Sequence, residues 1–336
     1  MTYADPRLQR LDRVLTQVSV GYRNEAFVSD VLFPTVRVGS QSDLYNVFDR
    51  RGFNTFEDIR APGAKASEIP PRAFSRSPYF AQEHALVDIV PRETGEEGSA
   101  DAGDIDALAD ATEELTDAIL LGKEKAAADL ALTTANYETG HFDTLSSGEQ
   151  WNEYETSTPI ADFKEARRVI HRAILREPNV VVLGFEVGAK LEDHPDFIER
   201  IKYSERGVTT DDIIAQVTGV GRIVRAGAMI NGANVGQAED NDYLWGRDAV
   251  FAWVPARPGR RIPAYGYEFL FPYRRGVRGT GGRDMPTERW YDEDHDSDKI
   301  RVRRRYDLKH IAVDTVDDNN AIAGFLYKDA VAAAGS

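Results

Sequence analysis

The segment 24–70 constrains the fold of this chain more than any other, because it reads as a long extended excursion and not as part of a compact core. It begins with an apolar cluster that includes Phe27, Leu32 and Phe33. Apolar and polar residues then alternate as far as Phe48, as they do in a strand, and the sequence beyond turns polar. The apolar residues of such a segment must be buried against another part of the chain or against another molecule.

Turn residues mark the far end of this excursion. The pairs Pro62–Gly63 and Pro70–Pro71 predict a turn near a charged tip, and an apolar run returns from Tyr79 to Val90. The outgoing and returning runs therefore predict a projecting hairpin. Because an isolated two-stranded hairpin is marginal in water, we expect this one to lie on a neighbouring molecule.

The composition is that of a soluble globular protein with room for two lobes. The chain has 336 residues, of which 42% are hydrophobic and 29% charged. It contains no cysteine, so disulfides and thiolate metal sites are excluded and stability must come from packing and assembly. The N-terminal residues lack the apolar core of a signal peptide, and no run approaches the roughly 20 apolar residues of a membrane span. We expect a cytosolic product without membrane contact.

The charge is segregated along the chain. The formal net charge is −15; residues 92–138 hold thirteen acidic and three basic side chains, whereas 257–283 hold seven arginines and one glutamate. Residues 299–309 hold six basic side chains and one aspartate. A dedicated DNA-binding protein needs cations to displace counterions from phosphates, so this acidic chain is a poor candidate for one. A container for DNA would tolerate the same charge.

Helical and strand patterns alternate through the middle of the chain and predict an α+β protein. The longest predicted helix spans 104–134, where apolar residues recur at steps of three and four, and Pro159 opens a second one that runs to Ile174. Other predicted elements are an arm helix at 5–18, a buried strand at 179–183 and helical turns at 186–191 and 195–201. Short strands are predicted at 223–224, 243–245, 250–254 and 268–271, a longer alternating strand at 300–313 and a final strand at 321–327.

No stretch forms a convincing catalytic or cofactor site. The glycines of 219–227 lack the last glycine of a dinucleotide-binding loop and predict a turn. The aspartates from Asp292 to Asp298 have the alternate spacing of a calcium loop, but Ser297 stands where glycine is needed and Arg303 where a bidentate glutamate is needed. A solvated acidic loop is the better interpretation, although a cation site stays open. We expect His194 to act as a cap or turn residue.

Several motifs, taken in order, carry a resemblance to a known family. They are SDVLFP at 29–34, RAPG at 60–63, EIP at 68–70, the acidic helix, and PNVVVLGFEVGAKLEDHPDFIERIKY at 178–203. As an ordered set they resemble the tailed-phage major capsid proteins of the Hong Kong ninety-seven type, over nearly the whole chain. The resemblance implies a shell subunit and the following domains: an N-terminal arm (1–45), an extended β-hairpin loop (46–88), a peripheral domain with a long spine helix (89–158), an axial domain (159–283) and a return to the peripheral domain (284–336).

The function that the resemblance implies is structural and not enzymatic. Copies would assemble as homo-hexamers and homo-pentamers into the icosahedral head of a tailed phage, in the cytoplasm of the host, and enclose double-stranded DNA without sequence-specific binding or any cofactor. Expected partners are a separate scaffolding protein, a portal and a decoration protein. The nearer alternative is an encapsulin shell, and the more distant one is a hydrolase or binding domain. We further expect an uncleaved subunit and shells without covalent cross-links.

The candidate contact residues fall into three groups. They are the polar residues near the tip of the loop, the apolar anchor that precedes it and the basic residues of the return strand. The residues are Arg60, Lys65, Glu68, Arg72 and Arg76; Phe27, Leu32 and Phe33; and Arg301, Arg303 and Arg305.

Overall fold

The computed structural model describes residues 27–48, 55–56, 58–60, 62–63, 65–66, 68–69, 74–91, 103–201, 210–233, 237, 240–258, 262–273, 284–311 and 320–332. The predicted arm helix and Arg72 lie outside these residues. None of the described helices is long and apolar enough to cross a membrane.

The first of two five-stranded sheets is organised around one long strand, β13. Strand β13 pairs with β4 along one side and with β12 and then β11 along the other, always antiparallel, while β1 adds to β11 in parallel. The predicted return strand is confirmed, and its alternation places Ile300 and Val302 on the buried face. The strands are β1 (Thr35–Arg37), β4 (Gln82–Pro91), β11 (Gly266–Leu270), β12 (Thr287–Asp292) and β13 (Ser297–His310).

The predicted long helix is confirmed as Gly103–Leu132 and is called the spine helix below. Its first half packs on the buried face of β13, where Leu115 and Ile119 share a core with Ile300 and Val302. Its second half packs on the other sheet through Ala127, Ala128 and Ala131. One helix therefore joins the two sheets.

The second sheet has the order β5-β14-β10-β6-β7 and is covered on both faces. The run Val180–Gly184 is buried at every position, as expected of a strand inside a layered fold. Val181 and Leu183 face four helices, whereas Val180 and Val182 face the spine helix. The strands are β5 (Phe142–Thr144), β6 (Val180–Gly184), β7 (Arg222–Ala226), β10 (Ala249–Ala252) and β14 (Gly324–Lys328), and the helices are Pro159–Ile174, Phe185–Glu192, Pro195–Ile201 and Asp211–Thr218.

The strand predictions for the later half hold for position but not for sheet membership. The run at 268–271 lies in the range 159–283 that the resemblance assigns to the axial domain, as do 223–224 and 250–254, yet β11 pairs with β13 in the first sheet. The final strand β14 lies with the return strand in the range 284–336, yet it pairs with β10 in the second sheet. The run at 243–245 is represented by β9 (Asn241–Tyr243), which pairs with β8 (Met229–Asn231) in a separate two-stranded sheet. Partner choice depends on burial of both faces, which a local pattern does not specify.

The predicted hairpin exists, but its boundary differs. Strands β2 (Ser42–Phe48) and β3 (Phe74–Phe80) pair antiparallel, and the turn at Pro62–Gly63 is present, with Gly63 at a φ of 83°. The returning run 79–90 was predicted as one strand of the loop. It breaks at Ala81, and β4 joins the body of the protein through β13 instead.

The base of the hairpin packs on its own chain. Val47 and Tyr79 are buried, the Tyr79 ring stacks on Phe269 with centroids 4.6 Å apart, and the Tyr45 hydroxyl donates to the His310 carbonyl over 3.2 Å. Only the part beyond these strands can extend away from the body. The expectation that the whole hairpin needs a neighbour for burial was therefore too broad.

Candidate assembly surface

The distal loop carries exposed isoleucines. Ile59 is 87% exposed and Ile69 65%, the largest values among the large hydrophobic residues described. Apolar side chains this exposed contribute little hydrophobic stabilisation to the isolated chain. Covering them with another surface removes their apolar area from water and is favourable. The loop therefore has the chemistry of a contact surface.

The charged residues of the loop are partly engaged with each other. Lys65 and Glu68 form an ion pair of 2.5 Å, with side chains 81% and 76% exposed. A pair this exposed contributes about 0–1 kcal/mol, so it does not fix the loop. Arg60 and Arg76 are exposed as well, whereas Arg72 lies outside the described residues.

Two of the predicted contact residues belong to the core of their own chain. Leu32 and Phe33 are fully buried, in the cluster that also holds Val180 and Tyr265. A fully buried side chain cannot meet a neighbour, so their prediction as inter-subunit contacts was wrong. Phe27 is half-buried and stays a candidate. The cause is that the apolar anchor finds its burial beneath the spine helix and not on another molecule.

Glu124 of the spine helix holds this anchor by its backbone. The short helix Ser29–Leu32 follows Val28, and the Glu124 carboxylate accepts hydrogen bonds from the Val28 and Ser29 amides over 2.9 and 2.8 Å. The Trp245 indole donates to the same carboxylate over 2.7 Å. Glu124 is fully buried, so these three hydrogen bonds take the place of those that its carboxylate would make to water. The anchor is thereby fixed to the middle of the spine helix.

Lys123, one residue earlier, joins a buried charge cluster centred on Glu268. Lys123 donates to Glu268 over 2.9 Å and also contacts Asp30 of the anchor helix. Arg304 donates to the other oxygen of Glu268 over 2.6 and 3.0 Å, and the Thr35 hydroxyl donates over 2.7 Å. Burial opposes ionisation of Glu268, but Lys123 and Arg304 outweigh it and lower the pKa to about 2. Four separate elements meet at this one carboxylate.

An aromatic cluster completes the attachment of the anchor. The Phe33 ring lies 5.4 Å from Tyr265 and 5.8 Å from His310, measured between centroids. The Phe33 ring packs directly over Gly266. A Cβ added at Gly266 would come within 2.4 Å of this ring. Burial lowers the pKa of His310 to about 4, although hydrogen bonding to the Tyr265 carbonyl opposes this. The imidazole is therefore neutral within the fold at pH 7.

The three arginines of the return strand lie on the opposite face of β13 and pair within the chain. Arg301 donates to Glu288 over 3.2 Å, Arg305 donates to Glu83 over 3.1 Å, and Arg303 reaches both carboxylates. Their side chains are between 18% and 30% exposed. They are thus first of all internal pairs across the strands β12, β13 and β4, and a contact with a neighbour stays a prediction.

The acidic run is a hairpin turn between β12 and β13. Asp292 pairs with Lys299 over 2.6 Å and with His295, and Asp298 pairs with Arg289 over 2.7 Å. Within the described part of the chain, no group of three or more acidic or histidine side chains is arranged to hold a metal ion. Asp292 and Asp298 are thus paired within their own hairpin.

Two other sequence interpretations are confirmed as structural. Gly219, at a φ of 71°, ends the helix Asp211–Thr218 and turns the chain into β7, which is the turn that the sequence predicts. His194 caps the helix Pro195–Ile201, since its Nδ1 accepts from the Asp196 amide over 3.1 Å. Its Nε2 must then carry the proton and donate to the Ser157 hydroxyl 3.1 Å away. That is the wrong tautomer for a base that would activate this serine.

Sequence reasoning missed the residues that matter most for attaching the anchor. On the spine helix the predicted apolar stripe includes Ala126 and Leu130, but the buried stripe passes through Lys123 and Glu124. Ala126 is exposed. A stripe defined only by apolar residues cannot include buried charged residues such as these two. The signal available in the sequence was that Lys123 and Glu124 follow the apolar residues Ile119 and Leu120 by four positions each.

Comparison with known proteins agrees with this geometry. No family model matches the chain. The major capsid protein of Burkholderia phage BcepMu is 29% identical over 269 residues, which cover 78% of this chain and 83% of that protein. The major capsid protein of Pseudomonas phage JBD67 is 27% identical over 246 residues, which cover 72% and 77%. A phage-related protein from Bordetella bronchiseptica RB50 superposes with a TM-score of 0.72 at 25% identity, over 96% of this chain and 98% of the other.

The fold is the tailed-phage capsid fold that the sequence resemblance indicated, and chains from mycobacteriophages share it at much lower sequence identity. Together with the two curated relatives, the fold supports a major capsid protein of the tailed-phage type. Both curated relatives are phage proteins, so the encapsulin alternative has the weaker support.

Proposed function

We propose that the chain assembles with copies of itself, as hexamers and pentamers, into the icosahedral head that encloses the double-stranded DNA of a tailed phage. The carrying observation is the distal loop. Its isoleucines at 59 and 69 are exposed, while the strands that lead to it are held on the body by Tyr45 and Tyr79. A rigid base with an apolar, exposed end is suited to reach a neighbouring subunit.

The buried charge cluster supports the same role by making the subunit rigid. The spine helix and strands β1 and β13 meet at Glu268 of β11, and Asp30 of the anchor helix joins them through its contact with Lys123. Replacing such a cluster by apolar residues can leave stability unchanged, but a satisfied polar cluster permits only one arrangement of its elements. A subunit that repeats many times in a closed shell needs such a fixed geometry at every interface.

The interior of the head would hold DNA without gripping it. The net charge of −15 leaves few cations to displace counterions from phosphates, so we propose enclosure without sequence-specific binding. We also propose a structural and not an enzymatic role, because the relatives are capsid proteins and the Ser157–His194 pair has the wrong tautomer for catalysis. A separate scaffolding protein, a portal and a decoration protein belong to this proposal, as does assembly in the host cytoplasm.

Negative-stain electron microscopy of the purified protein, alone and co-expressed with the neighbouring phage genes, tests the proposal. We expect closed particles or capsomers, whose amount increases with protein concentration. A monomer whose mass in light scattering does not change with concentration under either condition would contradict it.

A further inference from the structure

The helix Pro159–Ile174 presents a basic face to solvent. Its apolar side chains, among them Phe163 and Ile170, are buried against the second sheet. On the outer side, cations recur at steps of four residues, so each lies about one helical turn beyond the last. This basic stripe consists of the exposed residues Lys164, Arg168, Arg172 and Arg176, the last of which follows the end of the helix. The stripe is unusual in a chain whose formal net charge is −15.

The basic stripe is only partly neutralised by its own subunit. Glu165 is the one exposed acidic residue between positions 159 and 176, and Arg168 donates to it over 2.8 Å. Lys164 and Arg172 form no ion pair with any residue that the structure describes. The helix dipole favours cations in the last turn, where Arg172 lies, but it gives no reason for Lys164 near the first turns. Two positive charges therefore face solvent without a partner.

A second surface of the same lobe carries the opposite charge. The Tyr154 ring meets His194 edge-on with centroids 5.5 Å apart, and its hydroxyl donates to the Lys190 carbonyl over 3.4 Å. These contacts bring residues 153–155 beside the turn that separates the helices Phe185–Glu192 and Pro195–Ile201. The carboxylates gathered there have no ion pair with a described residue, and we call them the acidic patch. They are Glu153, Glu155, Asp193 and Asp196.

Each of the two surfaces has an exposed apolar side chain at its side. Leu175, between Arg172 and Arg176 of the basic stripe, is 56% exposed. Ile198, two residues beyond Asp196 of the acidic patch, is 46% exposed. If the two surfaces met, both apolar side chains could be covered, and removal of apolar area from water is favourable. The charges would then add direction to an apolar contact.

The two surfaces lie at different places on one subunit and complement each other, so the contact that they define between copies runs head to tail. A head-to-tail contact repeats by rotation and closes into a ring when the rotation fits a whole number of subunits. Pentamers and hexamers are rings of this kind. The acidic patch of the next copy is therefore the partner that the charge of the basic stripe fits.

We propose that the basic stripe of one subunit binds the acidic patch of the next subunit around each pentamer and hexamer. The residues that pair are Lys164, Arg172, Glu155 and Asp193. This inference rests on the proposed shell function and names the surfaces that join subunits within one ring. An exposed ion pair is weak and screened by salt, but this contact recurs at every subunit of the ring.

Engineered cysteines test the placement, because the natural chain has none. In assembled particles, Arg172→Cys with Asp193→Cys should give on mild oxidation a ladder of multimers that ends at the hexamer, since the contact closes within each ring. A reducing agent should collapse it. Arg172→Cys with Lys125→Cys is the matched control and should give no ladder. Lys125 is 53% exposed on the spine helix, which packs on the opposite face of the second sheet.

A charge exchange tests the pairing. Lys164→Glu with Arg172→Glu should lower the particle yield at low salt, and so should Glu155→Lys with Asp193→Lys. All four substitutions in one chain should restore the yield. This fourfold variant has the net charge of the natural chain, so its recovery separates the contact from an effect of total charge. Circular dichroism checks that each variant is folded.

Several outcomes would overturn this inference and leave the shell function standing. They are normal particles that give no ladder with the 172/193 pair, a ladder that stops at the dimer, and a normal yield from both double variants. Failure of the unmodified protein to form particles would overturn the shell function, and this inference with it.

Discussion

Lys123 and Glu268 form an ion pair of 2.9 Å in the interior of the protein, where their side chains are 1% and 0% exposed. They lie 145 residues apart in sequence and connect the spine helix to strand β11. Because Asp30 and Arg304 join the same cluster, the charges are balanced without water. The pair fixes the position of the N-terminal anchor on the body of the subunit.

Removing the central carboxylate should be costly. Glu268→Gln leaves Arg304 without its paired carboxylate and Lys123 with Asp30 alone, and loss of one partner of a buried pair costs about 3–5 kcal/mol. Urea unfolding of the unassembled subunit measures the loss. Lys125→Ala is the control, since the Lys125–Asp129 pair is exposed and its removal should cost about 0–1 kcal/mol. Equal losses for both variants would show that the cluster does not hold the fold.

Filling the space above Gly266 should displace the anchor. In Gly266→Ala the new Cβ would lie 2.4 Å from the Phe33 ring, and overpacking of this kind typically costs about 1–3 kcal/mol. Phe33→Leu in the same chain should recover part of the loss. Gly122→Ala on the spine helix is the matched control: it meets no atom within 4 Å and should be neutral or stabilising by about 0.5–1 kcal/mol. A fully stable Gly266→Ala protein would contradict the contact.

Acid should destabilise the subunit in two steps. The pKa of His310 falls from 6.5 to about 4 on folding, so between these values the unfolded chain binds the additional proton, and stability decreases as the pH is lowered. The slope from this group approaches about 1.4 kcal/mol per pH unit. The pKa of Glu268 falls from 4.5 to about 2, so its contribution is present above pH 4.5 and is lost as the pH falls toward 2.

Urea unfolding at a series of pH values separates these steps. His310→Phe should flatten the dependence between pH 6.5 and 4 and leave the lower one in place, whatever its effect on stability at pH 7. An unchanged slope in this variant would show that His310 is protonated equally in the folded and unfolded chain.

The distal loop should be needed for assembly and not for folding. Replacing Arg60, Lys65 and Arg72 together with glutamate reverses the charge of the tip, and each contact with an acidic neighbour becomes repulsive by a small amount that recurs at every copy. We expect a cooperatively folded subunit that no longer forms shells, with the defect partly relieved by added salt. Circular dichroism and electron microscopy measure the two properties. Normal shells, or a subunit that fails to fold, would show that the loop belongs to an intramolecular core.

Much of the fold was predictable because its signals are local. The spine helix, the helix Pro159–Ile174, strand β6 and the return strand were all located from apolar spacing, since each buries a regular face. The hairpin followed from its turn residues and its two apolar runs. The family resemblance rested on such local motifs in their order along the chain.

The sequence by itself therefore determined where the long helices, β6 and the return strand lie, that the chain is acidic and free of cysteine, and that it resembles the phage capsid proteins. Only the tertiary structure decided which strands share a sheet, that Leu32 and Phe33 are covered by their own chain, and that Lys123 and Glu124 are buried. The reason is physical. Burial of a charge is costly unless partners neutralise it, and here the partners come from distant parts of the chain. The sequence around Lys123 contains neither Glu268 nor Arg304.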